Sequence, residues 1–255
     1  MLSGLSGLSG LSGMGVSEGP PSFGPYTQLT YLFANGVLTA EETGAPELTL
    51  TDPAANTNTA FTDPAGGTYA QINGTPGALA THGFLSLDLT QCLAGGNCIV
   101  TGLTTTGWAI EIQGMWQTGA TEGYKRVLKM AVIQDTGFYI NALHGVAYTT
   151  PGSAQQDMAN NAINAMHRFF IVNNGNTISL IDGTIPFTWA GVNTFADSTN
   201  YTLPADKTIR FFCDNTTEHD KHAIKFIRIF PQKTLAEALV IAGAAAPDQA
   251  TSVWA

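Results

Sequence analysis

Met166-His-Arg-Phe-Phe-Ile-Val-Asn-Asn-Gly-Asn-Thr-Ile-Ser-Leu-Ile-Asp-Gly183 reads as two strands joined by a tight turn. An apolar run, Phe169 to Val172, enters Asn173-Asn174-Gly175-Asn176, and apolar residues resume at Ile178, Leu180 and Ile181. Asn-Gly is the strongest short signal for a hairpin, because both central residues of its turn need positive φ. Upstream, Trp108-Ala-Ile-Glu-Ile-Gln-Gly-Met-Trp116 alternates with period two. Trp108, Ile110, Ile112 and Trp116 are expected on one face, and Glu111 and Gln113 on the other.

Working outward, the pattern predicts strands over 26–33, 46–51, 68–72, 85–89, 98–103, 108–116, 126–134, 137–142, 167–173, 176–181, 208–214 and 222–230. Helical signal is confined to a short helix over Ser153–Met166 and a last turn from Thr234, with Glu237 in capping-box spacing. Many short strands separated by turn residues predict an all-β, two-sheet antiparallel sandwich. It would occupy residues 26–240, between an N-terminal arm with its Pro/Gly hinge (1–25) and an Ala-rich tail (241–255).

Charged residues make up 11% of the 255, against roughly 25% in an average soluble domain. Gly, Thr, Asn and Ala stand in their place, which suits strands, turns and a surface solvated by hydroxyls and amides. The net charge is −9. The nearest approach to a basic stripe is Tyr124-Lys125-Arg126 with Lys129. Counterion release from nucleic acid needs far more, so neither nucleic acid nor an anionic membrane surface is expected as a partner. No run approaches the roughly 20 apolar residues that span a bilayer. The N-terminus lacks a secretory pattern, with no Lys or Arg before residue 125, so synthesis in the cytoplasm without signal-directed export is expected. Cys92 and Cys98 flank Leu-Ala-Gly-Gly-Asn, spaced either for a small disulfide or for two buried thiols.

Residues 1–13 are Met followed by four Leu-Ser-Gly triplets. A period of three matches an extended helix with three residues per turn. Leu2, Leu5, Leu8 and Leu11 then line one edge, and Gly4, Gly7, Gly10 and Gly13 another. The glycine edge admits a neighbouring backbone, and the leucine edge needs a cover. The expectation is an assembly arm docking on a partner, with three copies around an axis as the simplest homo-oligomer.

Several stretches, in order, resemble laminin-G-like, concanavalin-A-like jelly rolls, including those borne by bacteriophages. Met166 to Gly183 is similar to the family's strand–turn–strand ending in Asp-Gly. His222-Ala-Ile-Lys-Phe-Ile-Arg-Ile-Phe230 with Leu235-Ala-Glu237 is similar to its closing strand. Trp108 to Trp116 and Leu29-Thr-Tyr-Leu-Phe-Ala-Asn-Gly36 resemble two earlier strands, and Lys207 to Asn215 takes the place of a segment ending Gly-Gly. Met166 stands where the family has Trp, and Cys213-Asp214-Asn215 where it has Gly-Gly. The resemblance implies a jelly roll, and these two departures count against carrying over the family's ligand sites, not against the sandwich.

Glycoside hydrolases on this fold place carboxylates as E-x-D-x-x-E on one strand, so that two stand about 5 Å apart. Glu111 is the only acid on its strand. There is no G-x-S-x-G elbow, His82 and His144 have no recognisable partners, and His219 and His222 alternate on extended chain. No catalytic residue and no cofactor are assigned. Calcium is the one cation to consider, with Asp214, Asn215 and Asp220 as candidates alongside Asp197 and Asp206. Trp189, Tyr201, Tyr148 and Tyr139 are the aromatics that could stack on a sugar ring, although sandwich aromatics more often pack the core. The expected function is a non-catalytic bacteriophage virion protein, a capsid decoration or head-fibre or tail surface protein. Its arm would hold capsid or other virion proteins, and its jelly roll would face outward. The alternative is a lectin-like carbohydrate-binding module that takes a host-surface glycan.

Overall fold

The computed structural model describes residues 23–33, 38–51, 59–62, 68–72, 84–116, 124–130, 137–141, 145–149, 156–159, 166–175, 177–186, 208–211 and 222–247. In chain order the strands are β1 (Phe23–Tyr26), β2 (Leu29–Leu32), β3 (Thr49–Thr51), β4 (Thr59–Thr62), β5 (Thr68–Ile72), β6 (Phe84–Asp88), β7 (Cys98–Val100) and β8 (Gly107–Trp116). Then follow β9 (Tyr124–Met130), β10 (Gly137–Asn141), β11 (Gly145–Thr149), β12 (Gln156–Ala159), β13 (Met166–Asn174), β14 (Ile178–Asp182), β15 (Ile185–Pro186), β16 (Thr208–Phe211) and β17 (His222–Pro231). One helix, α1 (Leu235–Gly243), follows the last strand.

Among the described residues these strands form an all-β sandwich. One sheet has seven strands in the order β12-β11-β10-β9-β16-β6-β3. The other has eight, β15-β14-β13-β8-β17-β5-β4 with β2 added beside β17. The pairs within both are antiparallel, whereas β1 and β7 form a separate parallel pair. Between the two large sheets lies an apolar core. Leu85, Leu87, Leu128, Ile209 and Phe211 come from one side, and Trp108, Ile110, Ile112, Phe169, Ile171, Ile227 and Ile229 from the other.

Period two explains which residues enter that core, and two bulges explain where the period breaks. Phe226 pairs with Gln113 and Ile224 with Gly114, which leaves Lys225 as an extra residue in β17. The phase therefore shifts, so that Ile227 and Ile229 point inward while Arg228 and Phe230 point out. Likewise Phe138 pairs with Leu128 and Tyr139 with Arg126, so Val127 is extra and buries beside its neighbour Leu128.

The hairpin that decides the fold is present as β13 and β14. Its turn is centred one residue later than the Asn-Gly reading places it. Asn173 pairs with Ile178, and the Asn174 N–H donates to the Thr177 carbonyl at 3.2 Å. Gly175 takes the first loop position with φ +91°, which an L side chain rarely adopts. The asparagines serve as acceptors instead, Asn173 Oδ1 from Gly175 N–H (3.0 Å) and Asn174 Oδ1 from Thr177 N–H (2.9 Å).

Three expectations are corrected. Where a helix was expected over Ser153–Met166, the described residues are extended: Gln156–Ala159 is strand β12, on the sheet edge against β11, and Met166 begins β13. Helix propensities differ by only about 0.7 kcal/mol per ordinary residue, a weak preference that pairing with β11 overrides even across two register shifts. The strand expected over 26–33 divides at Thr27–Gln28, because β1 pairs with β7 whereas β2 pairs with β17. Residues 23–25, expected in the hinge, thus belong to a strand. The C-terminal turn is a full helix to Gly243, beyond residue 240 where the sandwich was expected to end.

Candidate functional site

The outer face of the eight-stranded sheet carries a buried network of charged side chains. Glu111 projects from the middle of β8, opposite Arg228 of β17 and diagonal to Arg168 of β13. It is fully buried. Arg168 Nε donates to Glu111 Oε1 at 2.5 Å, and Arg228 Nε donates to Oε2 at 2.6 Å, with the Arg228 Nη2 group also against Oε2. Phe226 lies under both guanidinium groups, at 5.9 Å from Arg168 and 5.5 Å from Arg228. Phe230 stacks below Arg228 at 5.2 Å.

Helix α1 closes this face. Ala238 and Ala242 pack on Ala109, Phe170, Val172, Ile181 and Phe230. Thr234 caps the N-terminus in a reciprocal box: its hydroxyl accepts from Glu237 N–H, while the Glu237 carboxylate accepts from Thr234 N–H at 2.7 Å. The last turn has no basic residue of its own. Arg168 supplies the missing donors from β13, giving Nη1 to the Ala244 carbonyl (2.8 Å) and Nη2 to the Ile241 carbonyl (3.2 Å). One guanidinium therefore ties the helix C-terminus to the buried carboxylate.

Chemically this is a clamp. Both Glu111 oxygens are occupied by cations, so the carboxylate has no free face for a general acid, a general base or a nucleophile. Alternation in the sequence placed Glu111 on the outer face, but its partners lie 57 and 117 residues away. No local signal finds them.

A second polar pair sits at the open end of the hairpin. His167 Nδ1 is 2.8 Å from Asp182 Oδ2, and the imidazole stacks on Phe169 with centroids 5.1 Å apart. Asp182 Oδ1 also accepts from Arg168 N–H at 3.3 Å. These bonds fasten β13 to the end of β14. A shallow cleft of about 430 Å³ lies beside the start of α1, between Thr101-Gly102 and Pro231 to Thr234. The capping carboxylate of Glu237 forms part of its wall.

The sequence-derived site residues fall elsewhere. The arm residues Leu2, Leu5, Leu8, Leu11, Gly4, Gly7, Gly10 and Gly13 lie outside the described residues. So do Trp189, Tyr201 and the calcium candidates Asp214, Asn215 and Asp220. Tyr139 and Tyr148 are in β10 and β11, one register step apart: Tyr139 is opposite Ala147, and Tyr148 is opposite Phe138. They are not cross-strand partners. Among the described residues no three His, Cys, Asp or Glu side chains come together to hold a metal ion, and no helix is long and apolar enough to cross a membrane. Cys92 and Cys98 are free thiols in the inter-sheet core.

No protein-family model matches the chain. No curated protein matches it either. Solved structures share the fold at low identity. Domain 4 of AbnA, a GH43 extracellular arabinanase from Geobacillus stearothermophilus in complex with arabinotriose, is 11% identical with a TM-score of 0.59; the match covers 85% of this chain and 97% of that one. Trypanosoma rangeli sialidase in complex with the inhibitor DANA is 9% identical with a TM-score of 0.56, covering 83% of this chain and 31% of the sialidase. The binding domain of botulinum neurotoxin DC, in complex with rat synaptotagmin II, is 10% identical with a TM-score of 0.51, covering 85% and 51%. At such identities the likeness is one of fold, a β-sandwich found in carbohydrate-active and binding proteins.

Proposed function

We propose that the chain is a non-catalytic structural protein of a bacteriophage particle, most simply a capsid decoration protein or a head-fibre or tail surface protein. The observation that carries the reading is Glu111. The single acid of the central strand is spent on two arginines and, through Arg168, on the end of α1. A sandwich that commits its central carboxylate in this way is built to persist rather than to turn over. The Leu-Ser-Gly arm supplies the attachment: its leucine edge docks on virion proteins, in a homotrimer that leaves each jelly roll facing outward. The low charge and the Thr/Asn/Gly-rich composition suit such an exposed surface, made in the cytoplasm and carried out on the particle. The reading calls for no cofactor. Particles assembled with a chain lacking residues 2–13 test it. Loss of incorporation, with the sandwich still folded, is expected; unchanged incorporation overturns it.

The fold neighbours favour a second reading, a carbohydrate-binding module. Domain 4 of the arabinanase, which matches over nearly its whole length, was solved with arabinotriose. In this reading Trp189, Tyr201, Tyr148 or Tyr139 stacks on a host-surface sugar, with Asp214, Asn215 and Asp220 as its calcium ligands. A glycan array separates the two: saturable binding abolished by alanine at one of these aromatics supports the module, and an array without hits leaves the structural role alone.

A further inference from the structure

Cys92 closes the short 3₁₀ turn Thr90–Cys92, and Cys98 opens β7. Both thiols are buried in one apolar cluster, and the turn that ends at Cys92 packs against the strand that Cys98 opens. The connecting loop is held in this shape. Gly96 N–H donates to the Leu93 carbonyl at 2.9 Å, and Gly96 is pressed so close to Gln91 that a Cβ would stand 2.1 Å from its carbonyl oxygen. A short loop held in one shape thus keeps both cysteines in the same buried cluster, and a disulfide demands such a fixed approach of the two backbones. Burial raises both thiols above their ordinary range, so the pair stays protonated and reduced in reducing surroundings.

The position gives the pair a consequence. β7 carries β1: Phe23 N–H donates to the Asn97 carbonyl at 2.6 Å, Thr101 N–H donates to the Tyr26 carbonyl at 2.9 Å, and Phe23 is in register with Cys98. β1 is the strand into which residues 1–22 lead.

We propose that Cys92 and Cys98 form a redox-closable lock, oxidised to a disulfide by a small-molecule disulfide such as oxidised glutathione once the protein meets oxidising surroundings, and that closure fastens β7 and with it β1. The Cys98 thiolate, its proton given to solvent, attacks one glutathione sulfur, forming a mixed disulfide and releasing one reduced glutathione. Cys92 then loses its proton to solvent and attacks the Cys98 sulfur, releasing the second. Two electrons pass from the protein to the glutathione disulfide. Access is by local opening of the loop, where Ala94 and Gly95 are exposed. The lock holds whatever the sandwich displays, since it acts on the core and on β1 alone.

The test uses the full chain with Cys213→Ser, incubated without denaturant in a glutathione buffer rich in the disulfide form. Expected are loss of both remaining thiols and of two hydrogens from the intact mass, a peptide map joining Cys92 to Cys98, and a Tm raised by about 5 °C. Should Cys213→Ser not fold, peptide mapping of the unsubstituted chain reads the same bond. Thiols that persist for days, a glutathione adduct that does not resolve, or a disulfide that lowers Tm each overturn the proposal.

Discussion

On its inner face the eight-stranded sheet presents Trp108, Ile110, Ile112, Phe169, Ile171, Ile227 and Ile229 to the opposite sheet. On its outer face the same three central strands present Ala109, Glu111, Arg168, Phe170, Phe226, Arg228 and Phe230 to α1 and to one another. The inner face is cohesive because apolar surface leaves water, worth roughly 25 cal/mol for each Å² buried, and no single partner is indispensable to the others. The outer face is cohesive only as a set. Its charges are favourable while all their bonds are made, and any one left alone in the interior is costly. A sheet buried on both sides can therefore use two unlike chemistries, one tolerant of exchange and one not.

Breaking the inner face gives the largest effect. Trp108→Ala removes the largest fully buried side chain among the described residues and should cost about 4 kcal/mol, read as a lower urea midpoint with an unchanged m-value. A loss under about 1 kcal/mol would mean that the inter-sheet core does not depend on β8.

Breaking the outer face comes next. Glu111→Ala strands two nearly buried guanidinium groups and should cost about 3 kcal/mol. The contrast sharpens with the triple variant Glu111→Leu, Arg168→Met, Arg228→Leu, which removes every charge of the set together. It should recover most of that loss in urea melts, while the end of α1 loosens because the Ile241 and Ala244 carbonyls lose the Arg168 guanidinium, Ile241 keeping only the Ala244 N–H; hydrogen exchange at residues 238–244 reads the loosening. A triple variant as unstable as the single one would show that the charges are not a unit.

The smallest effect is at the capping box. The backbone N–H of Thr234, followed by its hydroxyl, holds the Glu237 carboxyl below its ordinary value of 4.5. A carboxyl lowered on folding adds stability above its unfolded value, and that stability is lost as pH falls through the lowered folded value. An NMR titration should place the Glu237 midpoint below 4.5, and Thr234→Ala, which removes the hydroxyl but keeps the backbone N–H, should raise it only part of the way back. A midpoint unmoved by Thr234→Ala would remove the hydroxyl as a contributor and leave the backbone N–H as the cause.

What could be read along the chain follows the same division. Alternation at Trp108–Trp116 identified the inward residues and set Glu111 apart, and Thr234 with Glu237 announced the start of α1 three residues apart. Helix-compatible composition at Ser153–Met166 misled, because the pairing of β12 with β11 is absent from any local window. The two-sided break at Thr27–Gln28 was likewise invisible, since β1 and β2 find partners 75 and about 200 residues away in β7 and β17.

By itself, then, the sequence determined the class of fold, its central strands, the hairpin and the helix cap, because period, turn chemistry and capping act between near neighbours. Only the tertiary structure decided what Glu111 is for, which strand receives β1, how Arg168 reaches the end of a helix 73 residues away, and that Cys92 and Cys98 are buried in one cluster as free thiols. Those outcomes depend on charge, burial and contact between distant segments, which exist only once the sheets have closed on each other.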